Sequence, residues 1–299
     1  MLIDALHESM RAWKGKWEII CVDDGSKDNT WSSVQKLATT HARIQGLRFT
    51  RNFGKEAAIL AGLEAAQGAW VVVMDGDGQH PPALLPDLLR HAENDAFEII
   101  AGKKRVRAPE NAAAGMLSRV FNQIMHAATG LDLQNSCDYR LLKRPVIEAL
   151  LRMPERIRFF RAMTVWTGFA QLDVEFDVLP RLAGNSAWST RGLISLAVNG
   201  ITGFSSQPLT LVFRFGFFGL LLSVLLTAQA LWSWFMGSAI SGWTSLTIVL
   251  VFFGSANLLG LGVLGAYMAQ LFNEIKARPT YLLSARCGLN KVRDIKTMT

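Results

Sequence analysis

Two stretches near the end of the chain, Phe215 to Met236 and Trp243 to Asn273, contain no charged residue. Each is long enough to cross a hydrocarbon core of roughly 30 Å, which takes about 20 apolar residues in a helix. The link between them, Gly237 to Gly242, is short and also uncharged. Arg214 precedes the first stretch, and Lys276, Arg278, Arg286, Lys291, Arg293 and Lys296 follow the second. The positive-inside rule then puts both ends in the cytoplasm and the link outside. Trp232, Trp234 and Trp243 sit where an aromatic belt would. The pattern predicts a transmembrane hairpin over 209–273, with spans of about 213–236 and 243–271, and a basic cytoplasmic tail over 274–299. Two buried core helices are the alternative, and the charge asymmetry disfavours them. Just before the hairpin, Leu193, Ile194, Ala197, Val198 and Ile201 share one broad face, which predicts an interfacial amphipathic helix within 189–208.

The first 188 residues alternate differently. Leu2, Ile3, Leu6 and Met10 recur at helical spacing, so the chain opens inside a helix. Short apolar runs at Trp17–Val22, Leu47–Thr50, Val71–Met74 and Phe97–Ala101 read as strands, with helical segments between them. Such alternation predicts an α/β fold with a doubly wound, mostly parallel sheet. The run Val71–Met74 stops at Asp75-Gly76-Asp77-Gly78, and the run ending at Val22 stops at Asp23-Asp24-Gly25. Open α/β sheets bind ligands at the carboxyl ends of strands, so both acidic turns are candidate sites. Hard oxygens on a tight turn suit Mg²⁺ or Mn²⁺, to which Gln79 can add another oxygen. An Asp-Gly turn that merely ends a strand is the plainer reading of either turn alone.

Lys103–Asn111 is basic, polar and broken by a proline; it is either a solvated loop or a lid over an anionic substrate. Lys55 at a helix start is either a phosphate contact or a surface lysine. His80 is either a support for the metal or a solvated side chain. Arg161 and Trp166 fall on a segment that reads as a packed helix. The formal charge of +7 suits anionic partners, yet no aromatic-interleaved basic stripe points to nucleic acid. Cys21, Cys137 and Cys287 are too scattered for a disulfide framework or a zinc pattern, which fits a reducing compartment.

Together, VDDGSKDNT (Val22–Thr30), RNFGKEAAILAGL (Arg51–Leu63), MDGDGQHPP (Met74–Pro82), DYRLL (Asp138–Leu142) and RLAGNSAW (Arg181–Trp188) resemble the polyprenyl-phosphate glycosyltransferases of glycosyltransferase family 2. This is the group of the dolichyl-phosphate mannose synthases and bactoprenol glucosyltransferases. The resemblance covers nearly the whole chain and implies a GT-A-type nucleotide-sugar fold over 1–188. It implies that Asp23, Asp24, Lys55 and Asp75 contact the nucleotide, and that Asp77 and Gln79 hold Mg²⁺ or Mn²⁺ on the donor diphosphate. By the same resemblance Arg140, Arg181 and Ser186 handle phosphate, and Asp138 is the catalytic base. The implied reaction moves one hexose, with inversion, from a nucleotide-sugar donor (UDP-glucose first) to undecaprenyl phosphate at the cytoplasmic face of a bacterial inner membrane. Implied partners are these two substrates and the lipid bilayer; Gly254, Gly260 and Gly262 could also support a homo-oligomer.

Asp138 has a second reading. A phosphate monoester with a second pKa near about 6 is largely dianionic at neutral pH, so Asp138 can position rather than deprotonate. Family members also begin with a strand lying between the strands that end near Asp23 and Asp75, and this sequence opens after it. The expectation is two unpaired strand edges and a weakly folded, weakly active chain. A metal-dependent nucleotidyl or phosphoryl transferase and an inactive membrane scaffold are the competing functions.

Overall fold

A computed structural model describes residues 2–105, 136–156, 158–177, 207–236 and 242–288. The expected interfacial helix within 189–208, the loop beyond Arg105, and Arg181 and Ser186 lie outside these residues. By packing the chain divides into an α/β unit, which includes the segment from Arg278 onward, and a helical unit from Thr190 to Ala277.

The α/β unit starts with α1 (Leu2–Ser9), β1 (Ile19–Asp23), α2 (Thr30–Thr40) and β2 (Ile44–Phe49). Then come α3 (Lys55–Ala65), β3 (Trp70–Val73), a 3₁₀ turn at Pro82–Leu84 running into α4 (Leu85–Glu93), and β4 (Ile99–Lys104). After β5 (Ser136–Lys143) follow α5 (Arg144–Arg152), α6 (Phe160–Trp166) and β6 (Gln171–Phe176). α7 (Gln207–Phe235) and α8 (Trp243–Ile275) form the helical unit, and β7 (Leu283–Cys287) returns to the α/β unit.

The expected mostly parallel sheet is corrected to two mixed sheets, ordered β1-β2-β7 and β3-β5-β4-β6. β1–β2 and β4–β6 pair in parallel, whereas β2–β7, β3–β5 and β4–β5 are antiparallel. The physical reason is insertion: β5 enters between β3 and β4, and β7 reaches β2 from beyond the helical unit. The segment expected as a tail therefore contributes a strand. β1 and β3 each have a single hydrogen-bonded neighbour among the described residues.

The cores explain why the strands hold. Leu6, Leu85, Leu88, Ile100, Tyr139, Leu141 and Phe176 are buried together, with Ile19, Trp70 and Val72 packed against them. Leu47, Phe49, Ala57, Ala61 and Ala65 form a second cluster between β2 and α3. Each fully buried Leu, Ile or Phe contributes roughly 1.5–3 kcal/mol. Tyr281 stacks on Phe49 at 4.8 Å and donates its hydroxyl to Glu64 of α3, which fastens the returning chain beside that helix.

In the helical unit a Cβ at Gly219 would lie 3.0 Å from the Phe253 ring, and one at Gly260 3.2 Å from Val212. The helices are thus antiparallel, and Gly260 serves the contact inside the pair. One stretch among the described residues, Phe252–Ile275, is long and apolar enough to cross a membrane. Just past the end of α8, Ala277 takes a left-handed φ of 48°, two residues before Pro279.

Candidate functional site

The site forms where β1, β3 and β5 present acids near the start of α3. β3 pairs with β5 so that Val73 opposes Arg140, and continuing that register by two residues brings Asp75 opposite Asp138. Like charges placed opposite each other repel. Lys55 resolves the conflict: its Nζ lies 2.6 Å from Asp75 Oδ1 and 2.6 Å from Asp138 Oδ2. Burial pulls the Lys55 pKa down, but Asp138 and Asp75 outweigh it, so the ammonium is held charged above its ordinary range.

Asp138 carries a second cation. Arg161 on α6 donates Nε to Oδ1 at 2.7 Å and its second nitrogen to Oδ2 at 3.0 Å, a bidentate pair. Burial pushes the Asp138 carboxyl up, yet Arg161 and Lys55 prevail and hold it well below the usual carboxylate range. A carboxylate so held is a weak proton acceptor.

The next residue on the same face of β5, Arg140, is completely buried. It donates Nε to the Cys137 carbonyl at 3.1 Å and a terminal nitrogen to the Thr164 hydroxyl. Its pKa is lowered to about 10, chiefly by burial. Strand residues two apart thus meet helix residues three apart: Asp138 with Arg161, Arg140 with Thr164. With no exposed surface, this side chain ties β5 to α6. Tyr139 points the other way, stacking on His80 at 4.9 Å and donating to the Pro81 carbonyl.

His80 is buried rather than solvated, and its Nδ1 accepts the Asp75 N–H at 3.0 Å. It therefore fixes the turn that carries the acids. Within that turn the Gln79 N–H donates to Asp77 Oδ1 at 3.0 Å. Asp77 and Gln79 remain partly exposed. Among the described residues no group of three His, Cys, Asp or Glu side chains gathers around one point.

At the other acidic turn, Asp23 is buried; Oδ1 accepts the Ser26 N–H at 2.9 Å and Oδ2 lies 3.4 Å from Arg48 Nε. That second contact is an ion pair without hydrogen-bond geometry, so Oδ2 has no hydrogen-bond partner. Arg48 sits directly across from Asp23 in the parallel register. Asp24 spends both oxygens on the chain, accepting the Phe53 N–H at 2.6 Å and the Gly54 N–H at 2.9 Å. It pins the start of α3, where Gly54 takes a φ of 99°. Lys103 and Arg105, at the start of the basic segment, pair with Asp173 and Asp177 of the β6 region, each at 3.2 Å.

The structure brings Lys55, Asp75 and Asp138 into one cluster and adds Arg161, which sequence reasoning left as packing. Its signal was weak: only the helical stagger of Arg161 with Thr164 distinguishes it from an ordinary surface arginine.

Acids at strand ends, flanked by cations near helix starts, lie where open α/β sheets place their ligands. The Glycosyl transferase family 2 profile matches residues 1–151. A protein of Bacillus subtilis (strain 168) named "Putative glycosyltransferase CsbB" is 36% identical over 306 residues, spanning 99% of this chain and 92% of its own. The SfII prophage-derived bactoprenol glucosyl transferase of Shigella flexneri is 34% identical over 268 residues, 89% of this chain and 86% of its own. A prophage bactoprenol glucosyl transferase homolog of Escherichia coli K12 is 32% identical over 271 residues, 89% and 87% respectively. The chain belongs to glycosyltransferase family 2, and it is a glycosyltransferase.

Proposed function

We propose that this enzyme transfers a single hexose, with UDP-glucose the first donor to test, to undecaprenyl phosphate with inversion at the anomeric carbon. The observation that carries the reading is the Lys55–Asp75–Asp138–Arg161 cluster, in a chain whose relatives include proteins named bactoprenol glucosyl transferases. Asp23, with a buried oxygen lacking a hydrogen-bond partner, and Asp75 take the nucleotide.

Asp77 and Gln79 offer a partly exposed pair of hard oxygens suited to Mg²⁺ or Mn²⁺, which usually take one or two carboxylates and complete their shell with phosphate oxygens and water. Such an ion, when bound, would offset charge on the departing nucleoside diphosphate. The chain's own residues do the rest. Lys55 and Arg161, partly exposed and oriented by Asp138, receive the acceptor phosphate in place of buried Arg140. The acceptor, already dianionic at neutral pH, attacks without a strong base. Asp138 therefore positions the two cations. Arg181 and Ser186 are proposed to meet the donor diphosphate.

The second half of the reading is the membrane. Both ends of the helical unit join the α/β unit in sequence, α7 and α8 are antiparallel, and their large apolar side chains face outward. A hairpin with both ends on the cytoplasmic side of a bacterial inner membrane satisfies all three, and holds the enzyme where a lipid phosphate resides.

The test is incubation of membranes containing the full chain with undecaprenyl phosphate and a panel of labelled nucleotide sugars. One donor, UDP-glucose first, should yield labelled lipid, and Asp75→Ala should remove it. Labelled nucleotide product with no acceptor, or no turnover with any donor, would refute the reading.

A further inference from the structure

The start of α3 places a further acidic residue, Glu56, directly after Lys55. Its Oε2 accepts the backbone N–H of Phe160 at 2.8 Å, across 104 positions of sequence. Phe160 is the first residue of α6, so this carboxylate satisfies one of the donors a helix start leaves open. The next residue along α6 is Arg161, which grips Asp138, and Asp138 is gripped in turn by Lys55. The contacts close a ring: Asp138, Lys55, Glu56, Phe160, Arg161 and back to Asp138. Two consecutive residues of α3 thereby hold both the acid and the helix that delivers its arginine.

We propose that Glu56 is a positioning residue for glycosyl transfer: by anchoring the first turn of α6 it sets Arg161 against Asp138 and so orients the cations that meet the acceptor phosphate. The proposal rests on the reading of Asp138, Lys55 and Arg161 given above. The groups facing Glu56 are Lys55 on its own helix, Asp138 on β5, Arg161 on α6, and Arg158 in the turn before α6. Ile59, Leu60, Leu63, Leu150, Phe160 and Met163 line the apolar pocket in which it sits.

That pocket has a consequence for titration. Burial, opposed by the Phe160 N–H and helped by Asp138, raises the Glu56 pKa to about 7. For a carboxyl raised in the folded state, stability is fully present below its unfolded value and lost as pH climbs through about 7. The ionised form thus costs the fold something at pH 8.

The experiment measures steady-state kinetics in membranes from pH 6 to 8.5 for the full chain and for Glu56→Gln and Glu56→Ala. Gln keeps an oxygen for the Phe160 N–H but does not titrate; Ala removes the oxygen. Glu56→Ala should lose about tenfold or more in kcat with donor KM within about twofold, since misplacing a reacting group by a fraction of an ångström has costs of this order. Glu56→Gln should recover most of kcat, flatten the part of the pH profile near 7, and melt higher than wild type at pH 8 but not at pH 5. A limb near pH 6 that survives in Glu56→Gln belongs to the acceptor phosphate and leaves these expectations standing. Unchanged kcat in Glu56→Ala, a donor KM rising in step with the loss, or an unaltered limb near 7 in Glu56→Gln would overturn the proposal. If Glu56→Ala does not fold, the Gln profile decides alone. Asp138→Ala, run alongside, separates the two claims: full activity there refutes the site reading, whereas loss there with intact Glu56 variants refutes only this one.

Discussion

The two units of this protein use apolar side chains in opposite ways. In the α/β unit Ile44, Leu88, Ile100, Val146 and Ile147 have no exposed surface. In the helical unit Phe213 is 74% exposed, Leu259 71% and Phe235 79%. A water-soluble fold cannot spread such a surface over two long helices without covering it. The α/β unit builds a core; among the described residues α7 and α8 show no comparable one and approach each other at small residues such as Gly219 and Gly260. The difference teaches where each unit keeps its polar groups. The α/β unit buries Asp23, His80, Asp138 and Arg140, each held by named partners.

The comparison can be broken at its most expensive point first. Arg140→Ala should destabilise the α/β unit by about 3–5 kcal/mol, since it opens a cavity and strips two buried acceptors of their donor. Thermal unfolding of the variant in detergent checks this. A stable variant with weakened substrate binding would return Arg140 to the role of a phosphate contact.

A smaller effect sharpens the contrast between units. Leu88→Ala should cost about 2–5 kcal/mol because it opens a cavity, while Leu258→Ala, at a site 70% exposed, should stay within about 0.5 kcal/mol. Leu258→Asp should instead impair membrane insertion by about 2.5–3.5 kcal/mol. Equal unfolding costs for the two alanine variants would mean that α8 packs like a soluble core helix. Insertion efficiency of the aspartate variant reads the lipid contact independently. Native Cys287 is a poor reporter of sidedness, since it lies half-buried in β7 with its thiol pushed up by burial.

Much of the site was legible because its signals are local. A β-branched run ending in Asp-Gly-Asp-Gly shows a buried strand and its acidic end within eight residues, and the β-α alternation through Ile99 follows from periodicity alone. The pairings were not legible. β5 joins β3 and β4 from far along the chain, and β7 reaches β2 across the whole helical unit. No local pattern encodes such registers. The contacts of Arg161, Glu56 and Arg140 were not legible for the same reason. Their partners lie 23 positions away or more, except that Arg140 also reaches Cys137. The helix-start contact of Asp24 was not legible either, because a carboxylate that caps a distant helix start looks, in sequence, like one awaiting a ligand.

The central claim is that the cluster of Lys55, Asp75, Asp138 and Arg161 serves transfer to a lipid phosphate. The most direct measurement compares undecaprenyl phosphate with undecaprenyl alcohol as acceptors for the full chain in lipid vesicles. Both place the same hydrocarbon in the bilayer, and only one presents a dianion to Lys55 and Arg161. The account predicts labelled product from the phosphate and none detectable from the alcohol, with the phosphate reaction reduced at least about a hundredfold in Asp138→Ala, the scale on which a preorganised charge acts. Equal transfer to both acceptors, or full activity in Asp138→Ala, would contradict it.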